Sequence, residues 1–147
     1  MDLTVAVYNV NSVPKMLEMA KIVYGFGLKR FVLIRVFGAA AQQIGDLFKL
    51  SFKMGGEVLV FNDVQDAVDV LKPDVVYALT RPDRDARPIE KTEGRVLLLV
   101  HGADLSFSQR ELPQGASLVY AVPRDIGSTG QLAVALYKLL ISPGQGF

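Results

Sequence analysis

The chain has 147 residues, with 16 Lys and Arg against 15 Asp and Glu, and half of its residues are apolar. This length fits one compact domain with a sizeable core and excludes two large domains. The absence of cysteine excludes disulfides and sulfur-bound zinc, and the single histidine, His101, excludes a histidine metal cluster. A net charge of +1 means that a nucleic-acid partner would need a local basic patch. No segment has the roughly 20 apolar residues of a transmembrane helix, so we expect a soluble cytoplasmic protein.

Short apolar runs alternate with helical patterns along the chain. Six runs predict strands, and several are nearly continuous in Val, Leu and Ile, as in a sheet that is covered on both faces. These runs are residues 3–8, 31–36, 57–61, 74–79, 95–100 and 117–122. Strands that alternate with helices predict an α/β domain with a mostly parallel sheet and helices on both faces.

Four helical patterns separate the predicted strands or follow them. In the first, apolar residues recur at helical spacing from Met16 to Tyr24, with Pro14 suited to the first turn and Gly25 to the end. The others cover about residues 40–51, 64–71 and 128–140. The last helix is apolar nearly all round, so a second surface has to cover it. We therefore expect one domain over residues 1–141 that forms a homodimer, followed by a frayed tail at residues 142–147.

Two long connections, at residues 80–94 and 102–115, follow the carboxyl ends of predicted strands. Long loops at this end of a parallel sheet are common ligand sites. The turn after the first strand has no glycine and no P-loop motif is present, which excludes a Rossmann dinucleotide site and P-loop nucleotide hydrolysis. Glycines instead mark the C-terminal third, at Gly102, Gly115, Gly127 and Gly130. We expect a ligand to lie against the last two or three strands.

The segment at residues 122–130 leads directly into the last helix. The free backbone N–H groups and the positive dipole end of that helix could hold a carboxylate or another polar ligand group. Alternatively, this segment is an ordinary helix start with Ser128 or Thr129 as its N-cap. The spacing leaves both interpretations open.

Segments near both ends of the chain contain motif-like residues, namely NVNSV at 9–13, KIVYGFG at 21–27, LLLVHGADLS at 97–106, YAVP at 120–123 and STGQLAVALY at 128–137. Taken in order, they resemble the SPOUT superfamily of RNA methyltransferases, and the first two are similar to the opening motif of its SpoU-like branch. The later segments are similar to that superfamily's Gly-x-Glu loop, Ile-Pro strand end and Ser-Leu-Asn turn. The chain differs by Lys21 in place of Arg, Asp104 in place of Glu and Gly130 in place of Asn.

This resemblance implies a trefoil-knotted α/β domain that uses S-adenosylmethionine to methylate RNA and dimerises through its first and last helices. The last strands and the last helix would form the cofactor pocket. The pocket residues that the resemblance implies are Thr80, His101, Gly102, Ala103, Val122, Ile126, Gly127, Ser128, Thr129 and Leu132. Lys21 would orient a phosphate or act as a base, and Asn11 would hold the acceptor by hydrogen bonds.

Several of these residues also have purely structural interpretations. Lys21 lies one turn beyond Glu18, as a solvated surface charge does. Asn11 is suited to an N-cap or to a turn. His101 follows an apolar strand and fits either a hydrogen-bonded core ring or a proton-transfer group.

The connection after residue 80 contains three arginines at three-residue spacing. Arg81, Arg84 and Arg87 are suited to binding RNA phosphates. Asp83 and Asp85 neutralise much of this charge, so a self-paired, solvated loop is the alternative.

Three other functions remain open. A SPOUT-fold protein without catalytic residues would bind a small ligand or RNA without turnover. A nuclease of the PD-(D/E)xK type could begin its motif at Asp74 or Asp83, but no Glu-x-Lys or Asp-x-Lys follows in the next strand. A flavodoxin-like binding domain would account for the first five strands.

Overall fold

Seven parallel strands form the sheet of the computed structural model, which describes residues 1–82 and 85–141. The strands are β1 (Asp2–Tyr8), β2 (Arg30–Ile34), β3 (Glu57–Phe61), β4 (Val75–Leu79), β5 (Arg87–Pro88), β6 (Arg95–His101) and β7 (Ser117–Tyr120). Their order is β3-β2-β1-β6-β4-β7-β5, and each pair is parallel. The predicted α/β class is confirmed, with one short strand more than the six expected.

Five α-helices and one 3₁₀ turn lie between or after these strands in the described part of the chain. They are α1 (Val13–Gly25), α2 (Gly38–Gln42), α3 (Ile44–Lys53), α4 (Val64–Leu71), the 3₁₀ turn (Gln109–Glu111) and α5 (Gly127–Leu140). α1 starts at the N-cap Ser12, whose side chain accepts the Lys15 N–H at 3.2 Å, and Pro14 lies in its first turn. α4 starts at Asp63, whose carboxylate accepts the Asp66 N–H at 2.8 Å.

The sheet is buried on both faces by these helices. Val5 of β1 belongs to a core cluster that includes Met16 of α1 and Leu132 of α5. The next residue, Ala6, belongs to the cluster on the opposite face, which includes Val64 of α4. This alternation along β1 explains why Val5 to Tyr8 are apolar in succession, since both faces of the strand are covered there.

Two strands end two residues earlier than predicted, and each early end has a local cause. β2 ends at Ile34 because the next residue, Arg35, has a φ of +59° and leaves the extended conformation. β7 ends at residue 120 because the next two backbone N–H groups donate to the side chain of Gln131 in α5. Both ends lie at the carboxyl edge of the sheet.

Two connections also differ from the prediction. The helix predicted over residues 40–51 is divided into α2 and α3 at Gln43, where φ is −104° and ψ is 20°. The polar connection at residues 80–94 includes β5, whose Arg87 and Pro88 pair with β7. β5 thus extends the sheet by one short edge strand.

The predicted tail at residues 142–147 lies outside the described residues. Within the described residues, no helix combines the length and the apolarity that crossing a bilayer requires. The cytoplasmic location stays a prediction.

Candidate functional site

A small cavity, about 20 Å³ in volume, opens at the carboxyl ends of β4 and β6, beside the N-terminus of α5. Its lining residues are Leu79, Thr80, Arg81, His101, Asp104, Leu105, Asp125, Gly127, Ser128 and Gln131. The loop after β6 and the segment before α5, which the sequence marks with glycines, therefore meet at one cavity.

Asp104 connects three separate parts of this cavity. Its carboxylate accepts the backbone N–H of Ser128 at 2.7 Å and also the Ser128 hydroxyl, and it forms an ion pair with the Lys15 ammonium of α1. Lys15 lies 3.5 Å from the Ser128 hydroxyl as well. α5 is thus capped by a carboxylate from the loop after β6, while its own N-cap residue, Ile126, makes no side-chain cap. The prediction of Ser128 or Thr129 as the N-cap is wrong.

These contacts keep Asp104 ionised. Burial opposes ionisation, but the hydrogen bonds from Lys15 and Ser128 outweigh it and lower the pKa of the Asp104 carboxyl to about 2. The residue also has a φ of +56°, a left-handed conformation that residues other than glycine seldom adopt. The loop after β6 is therefore shaped so that one permanent negative charge lies at the N-terminus of α5.

The lowered pKa of Asp104 predicts a specific acid sensitivity. Its folded-state pKa lies below its unfolded value, so its stabilising contribution is present above about pH 4 and is lost as the pH falls toward 2. We expect Asp104→Asn to lose less stability than the wild type between about pH 5 and pH 2.5. Urea unfolding at both pH values measures this, with Asp46→Asn on α3 as a surface control. Equal losses in wild type and Asp104→Asn would contradict the prediction.

Gln131 holds the segment between β7 and α5 in place. Its side-chain oxygen accepts the N–H groups of Ala121 and Val122 at 2.8 and 3.0 Å, and its side-chain nitrogen donates to the carbonyls of Val122 and Arg124, both at 2.9 Å. Gln131 is only 3% exposed. One buried amide therefore satisfies four backbone groups of the loop that carries Asp125.

His101 is a buried, hydrogen-bonded ring at the end of β6. Its Nδ1 accepts the Ala103 N–H at 3.1 Å, and its ring meets those of Tyr8 and Phe107 edge-on, with centroids 5.6 and 5.3 Å away. Burial lowers the pKa of the imidazole, so the ring is neutral near pH 7. With Nδ1 accepting, Nε2 carries the proton, and His101 can act toward a ligand in the cavity as a hydrogen-bond donor.

The three arginines that were predicted to bind RNA do not lie together in one site. Arg81 lines the cavity, donates to the Ser106 hydroxyl at 3.3 Å and lies 3.9 Å from the Asp125 carboxylate. Arg87 lies in β5 and donates to Ser117 at 3.3 Å. Arg84 lies outside the described residues. Of the two described arginines, Arg81 alone lines the cavity.

The predicted cofactor residues are only partly brought together. Four of them line the cavity, namely Thr80, His101, Gly127 and Ser128. Gly102 and Ala103 continue the loop after β6, and Gly102 is packed so closely that a Cβ would lie 2.7 Å from the Val10 Cβ. Leu132 is fully buried in the core. Val122, Ile126 and Thr129 flank the start of α5 without lining the cavity.

The structure places the two predicted catalytic residues away from the cavity. The Asn11 oxygen accepts the Ala39 N–H at 3.0 Å and so connects the loop after β1 to α2. Lys21 is exposed on α1 and makes no hydrogen bond or ion pair with any described residue. The lysine that reaches the cavity is Lys15, six residues earlier on the same helix. No sequence pattern marks it, because its partner Asp104 is distant along the chain.

The described residues do not form a metal centre. Across residues 1–82 and 85–141, no group of three or more His, Asp or Glu side chains could hold a metal ion. Both oxygens of Asp104 are already engaged by Lys15 and Ser128, and Asp125 accepts the Gly127 N–H at 3.2 Å. The cavity therefore combines carboxylates with cations and N–H donors, and its described carboxylates do not converge as metal ligands.

The fold class is that of known SpoU-like methyltransferases. TrmJ from Z. mobilis matches with a TM-score of 0.73 at 15% identity, covering 100% of this chain and 72% of the other. The SpoU methyltransferase AviRb from Streptomyces viridochromogenes, solved in complex with the cofactor AdoMet, matches with a TM-score of 0.66 at 12% identity, covering 93% of this chain and 58% of the other. At these identities the likeness shows the fold and supports the SPOUT-like architecture.

Sequence comparison defines the family. The model of the family described as RecB-family nuclease (DUF2122) matches residues 38–138. A protein of Aeropyrum pernix, provisionally named a type II restriction enzyme, is 34% identical over 146 residues, covering 95% of this chain and 93% of the relative. The chain belongs to the RecB-family nuclease (DUF2122) family.

This membership contradicts the predicted function. The sequence resemblance predicted a methyltransferase that transfers a methyl group from S-adenosylmethionine to RNA, and the family and its relative name nucleases instead. The motif-like segments are consistent with the fold, which the solved structures share. One fold can carry different activities, so these segments do not determine the function. The predicted methyltransferase activity is therefore wrong. A nuclease, which the sequence left open as an alternative, agrees with the family.

Proposed function

We propose that this chain binds nucleic acid as a member of its nuclease family, through a phosphodiester group held in the cavity at the carboxyl ends of β4 and β6. The observation that carries the proposal is that two cations meet the lining of one cavity. Lys15 contacts the lining residues Asp104 and Ser128, and Arg81 lines the cavity 3.9 Å from Asp125. Cations and helix N-terminal N–H groups are the usual protein donors to phosphate oxygens. Hydrolysis of the phosphodiester is the reaction that the family name implies.

The cations are held in position by carboxylates. Lys15 pairs with Asp104, and Arg81 lies near Asp125, so both cations are oriented toward the cavity walls before a ligand arrives. A phosphodiester would share these cations with the two aspartates. Leu79 gives the same cavity an apolar wall that suits a sugar or a base.

Nucleases commonly stabilise the developing charge on phosphate with bound metal ions. The described residues do not fit such ions, because the Asp104 oxygens are engaged by Lys15 and Ser128 and no third carboxylate or imidazole joins them. Binding is therefore assigned to the two cations, Lys15 and Arg81. We expect that binding is not abolished by chelation of divalent metal ions.

Binding and cleavage of labelled oligonucleotides test this proposal directly. Fluorescence anisotropy with DNA and RNA at about 0.1 M salt should show saturable binding in EDTA and in Mg²⁺ alike, and gels of the same samples score strand cleavage. Binding should weaken as salt is raised, since each phosphate contact releases counterions. Absence of saturable binding in every condition would overturn the proposal.

A second candidate is binding of S-adenosylmethionine in the same cavity, apart from any methyl transfer. Its support is that one solved structure of this fold carries AdoMet and that the cavity is built by the loop after β6 and the start of α5. Isothermal calorimetry with S-adenosylmethionine and S-adenosylhomocysteine tests it. Heat from these ligands, together with no oligonucleotide binding, would favour this candidate over the first. The trefoil knot stays a prediction.

The homodimer through α1 and α5 also stays a prediction. The two helices pack against each other within one chain, and Tyr137 of α5 is 49% exposed on the outer side. We expect light scattering after size exclusion to give twice the 16.1 kDa chain mass, and Tyr137→Glu to reduce it toward one chain mass. A monomer at about 0.1 mM wild-type protein would contradict this prediction.

A further inference from the structure

A groove outside the cavity runs along the carboxyl ends of β1, β2 and β3. It consists of two adjoining concavities of about 390 and 360 Å³ that share Arg35. Tyr8 and Arg110 line the first, and Phe37 and Asn62 line the second. The carboxyl edge of a parallel sheet is where such folds bind ligands, and none of the residues named here lines the cavity beside α5.

Three polar side chains form a row across this edge. In the sheet register, Tyr8 lies opposite Ile34, and Ile34 lies opposite Phe61. Asn9, Arg35 and Asn62 directly follow these three strand-end residues. They therefore lie side by side along the carboxyl edge of the sheet. The Asn9 N–H donates to the Ile34 carbonyl at 2.8 Å and the Arg35 N–H to the Phe61 carbonyl at 3.0 Å, so the backbone holds the row in place.

The Arg35 guanidinium is positioned without an ion pair. Nη1 donates to the Tyr8 hydroxyl at 3.2 Å, and the guanidinium lies 6.0 Å from the centroid of the Tyr8 ring. Among the described residues, no carboxylate lies within ion-pair distance of it. The carboxylates of Asp63 and Glu111 also line the groove. One oxygen of Asp63 caps α4, one oxygen of Glu111 caps the 3₁₀ turn, and Glu111 also hydrogen-bonds the Tyr8 hydroxyl. Most of the five Arg35 N–H donors are therefore available to an anion.

The remaining groove residues match the other parts of a nucleotide. Asn side chains read the hydrogen-bonding edges of bases, and an arginine fork binds phosphate. Phe37, two residues after Arg35, is 46% exposed and offers an aromatic face of the kind on which unpaired bases stack. An acidic peptide would use only the two arginines, Arg35 and Arg110, whereas a nucleotide uses the amides, the guanidinium and the aromatic ring together.

We propose that this groove binds a nucleotide of a single-stranded nucleic acid, with its phosphate on Arg35, its base stacked on Phe37 and its base edge against Asn9 or Asn62. The proposal rests on the proposed function and names the substrate class of the chain as an unpaired strand. Base pairing in a duplex would hide the edges and the faces that the groove contacts.

Two variants and a matched control test the groove. Arg35→Asn removes the guanidinium and keeps a residue that tolerates the left-handed φ of 59°. Phe37→Ala removes the exposed ring, and Phe52→Ala, which is 89% exposed on α3, is the control. For labelled single-stranded 12-mers of DNA and RNA, we expect affinity losses of about tenfold for Arg35→Asn and about fivefold for Phe37→Ala, and less than twofold for Phe52→Ala. Wild-type affinity for a duplex should be lower than for the single strands.

The outcomes separate this proposal from the proposed function. Unchanged single-strand affinity in both groove variants, or equal affinity for the duplex, would overturn the groove and leave the cavity proposal standing. A loss in the groove variants while Lys15→Met binds as the wild type does would support the groove and overturn the cavity. If a fluorescein-labelled polyglutamate peptide binds as tightly as the oligonucleotide and also depends on Arg35, the nucleotide assignment is wrong.

Discussion

Replacing Gln131 by leucine is expected to lower the free energy of unfolding by about 3 to 5 kcal/mol. The buried amide satisfies two N–H groups and two carbonyls of the segment between β7 and α5, and leucine satisfies none of them. Each buried backbone group left without a partner costs about 1–3 kcal/mol, and water reaching part of the loop lowers the total. For a chain of this size, the melting temperature should fall by roughly 10 °C.

Urea unfolding followed by circular dichroism measures this loss, with Gln42→Leu as the matched control. Gln42 is exposed in α2, and its replacement should change stability by less than about 0.5 kcal/mol. A Gln131→Leu variant with the unfolding midpoint of the wild type would show that the four hydrogen bonds do not stabilise the fold. Because the same loop carries Asp125, we also expect the variant to bind oligonucleotides more weakly.

Replacing Lys15 by methionine is expected to weaken oligonucleotide binding by at least about tenfold and to reduce any strand cleavage by about 100-fold. The ammonium contacts Asp104 and Ser128, which both line the cavity. Stability should change little, since a half-exposed ion pair contributes about 0–1 kcal/mol. Weaker oligonucleotide binding with an unchanged free energy of unfolding would therefore assign Lys15 to the site.

Lys21→Met is the matched control for this variant, because Lys21 lies on the same helix, has the same charge and does not line the cavity. Both variants lower the net charge by one, so a general electrostatic effect would weaken binding in both. The double variant Lys15→Met/Asp104→Asn measures coupling, and its loss should be smaller than the product of the single losses. Equal binding by Lys15→Met and Lys21→Met would contradict the assignment of the cavity.

The strands could be predicted because burial on both faces leaves a local trace in the sequence. β1 is apolar from Val5 to Tyr8 and β6 from Val96 to Val100, and β3 was predicted with the bounds that the structure has. The early end of β2 depends on the left-handed conformation of Arg35, and arginine carries no sequence signal for that conformation. Boundaries set by one unusual dihedral angle therefore could not be predicted.

Of the candidate site, only the position of its two loops could be predicted from the sequence. Glycines at residues 102 and 127 indicated where backbone segments meet, and both segments border the cavity. Lys15 and Gln131 were not predicted. Lys15 contacts Asp104, which is distant along the chain, and Gln131, although it lies in α5, hydrogen-bonds the backbone of the loop that precedes this helix. Helical spacing describes which face a residue lies on, but not which distant loop its side chain reaches.

The solved structures that share this fold are methyltransferases, whereas the family of this chain is described as nucleases. The motif-like segments resemble those of methyltransferases, and solved methyltransferase structures share the fold of this chain at 12–15% identity. The family match over residues 38–138 names nucleases. A cavity position belongs to the fold, whereas the chemistry depends on the side chains placed in it, here Lys15, Arg81 and two aspartates.

The sheet order has a consequence for biosynthesis. β1, whose Val5, Ala6 and Val7 are fully buried, pairs along its whole length with β6, so that Asp2 lies opposite Arg95. While the ribosome is still adding the intervening residues, β1 can pair only with β2 and keeps its other edge open. Such distant pairing slows folding and leaves apolar strands exposed to aggregation in nascent chains. Chains released before β6 is translated would lack the central strand and would be natural clients of chaperones.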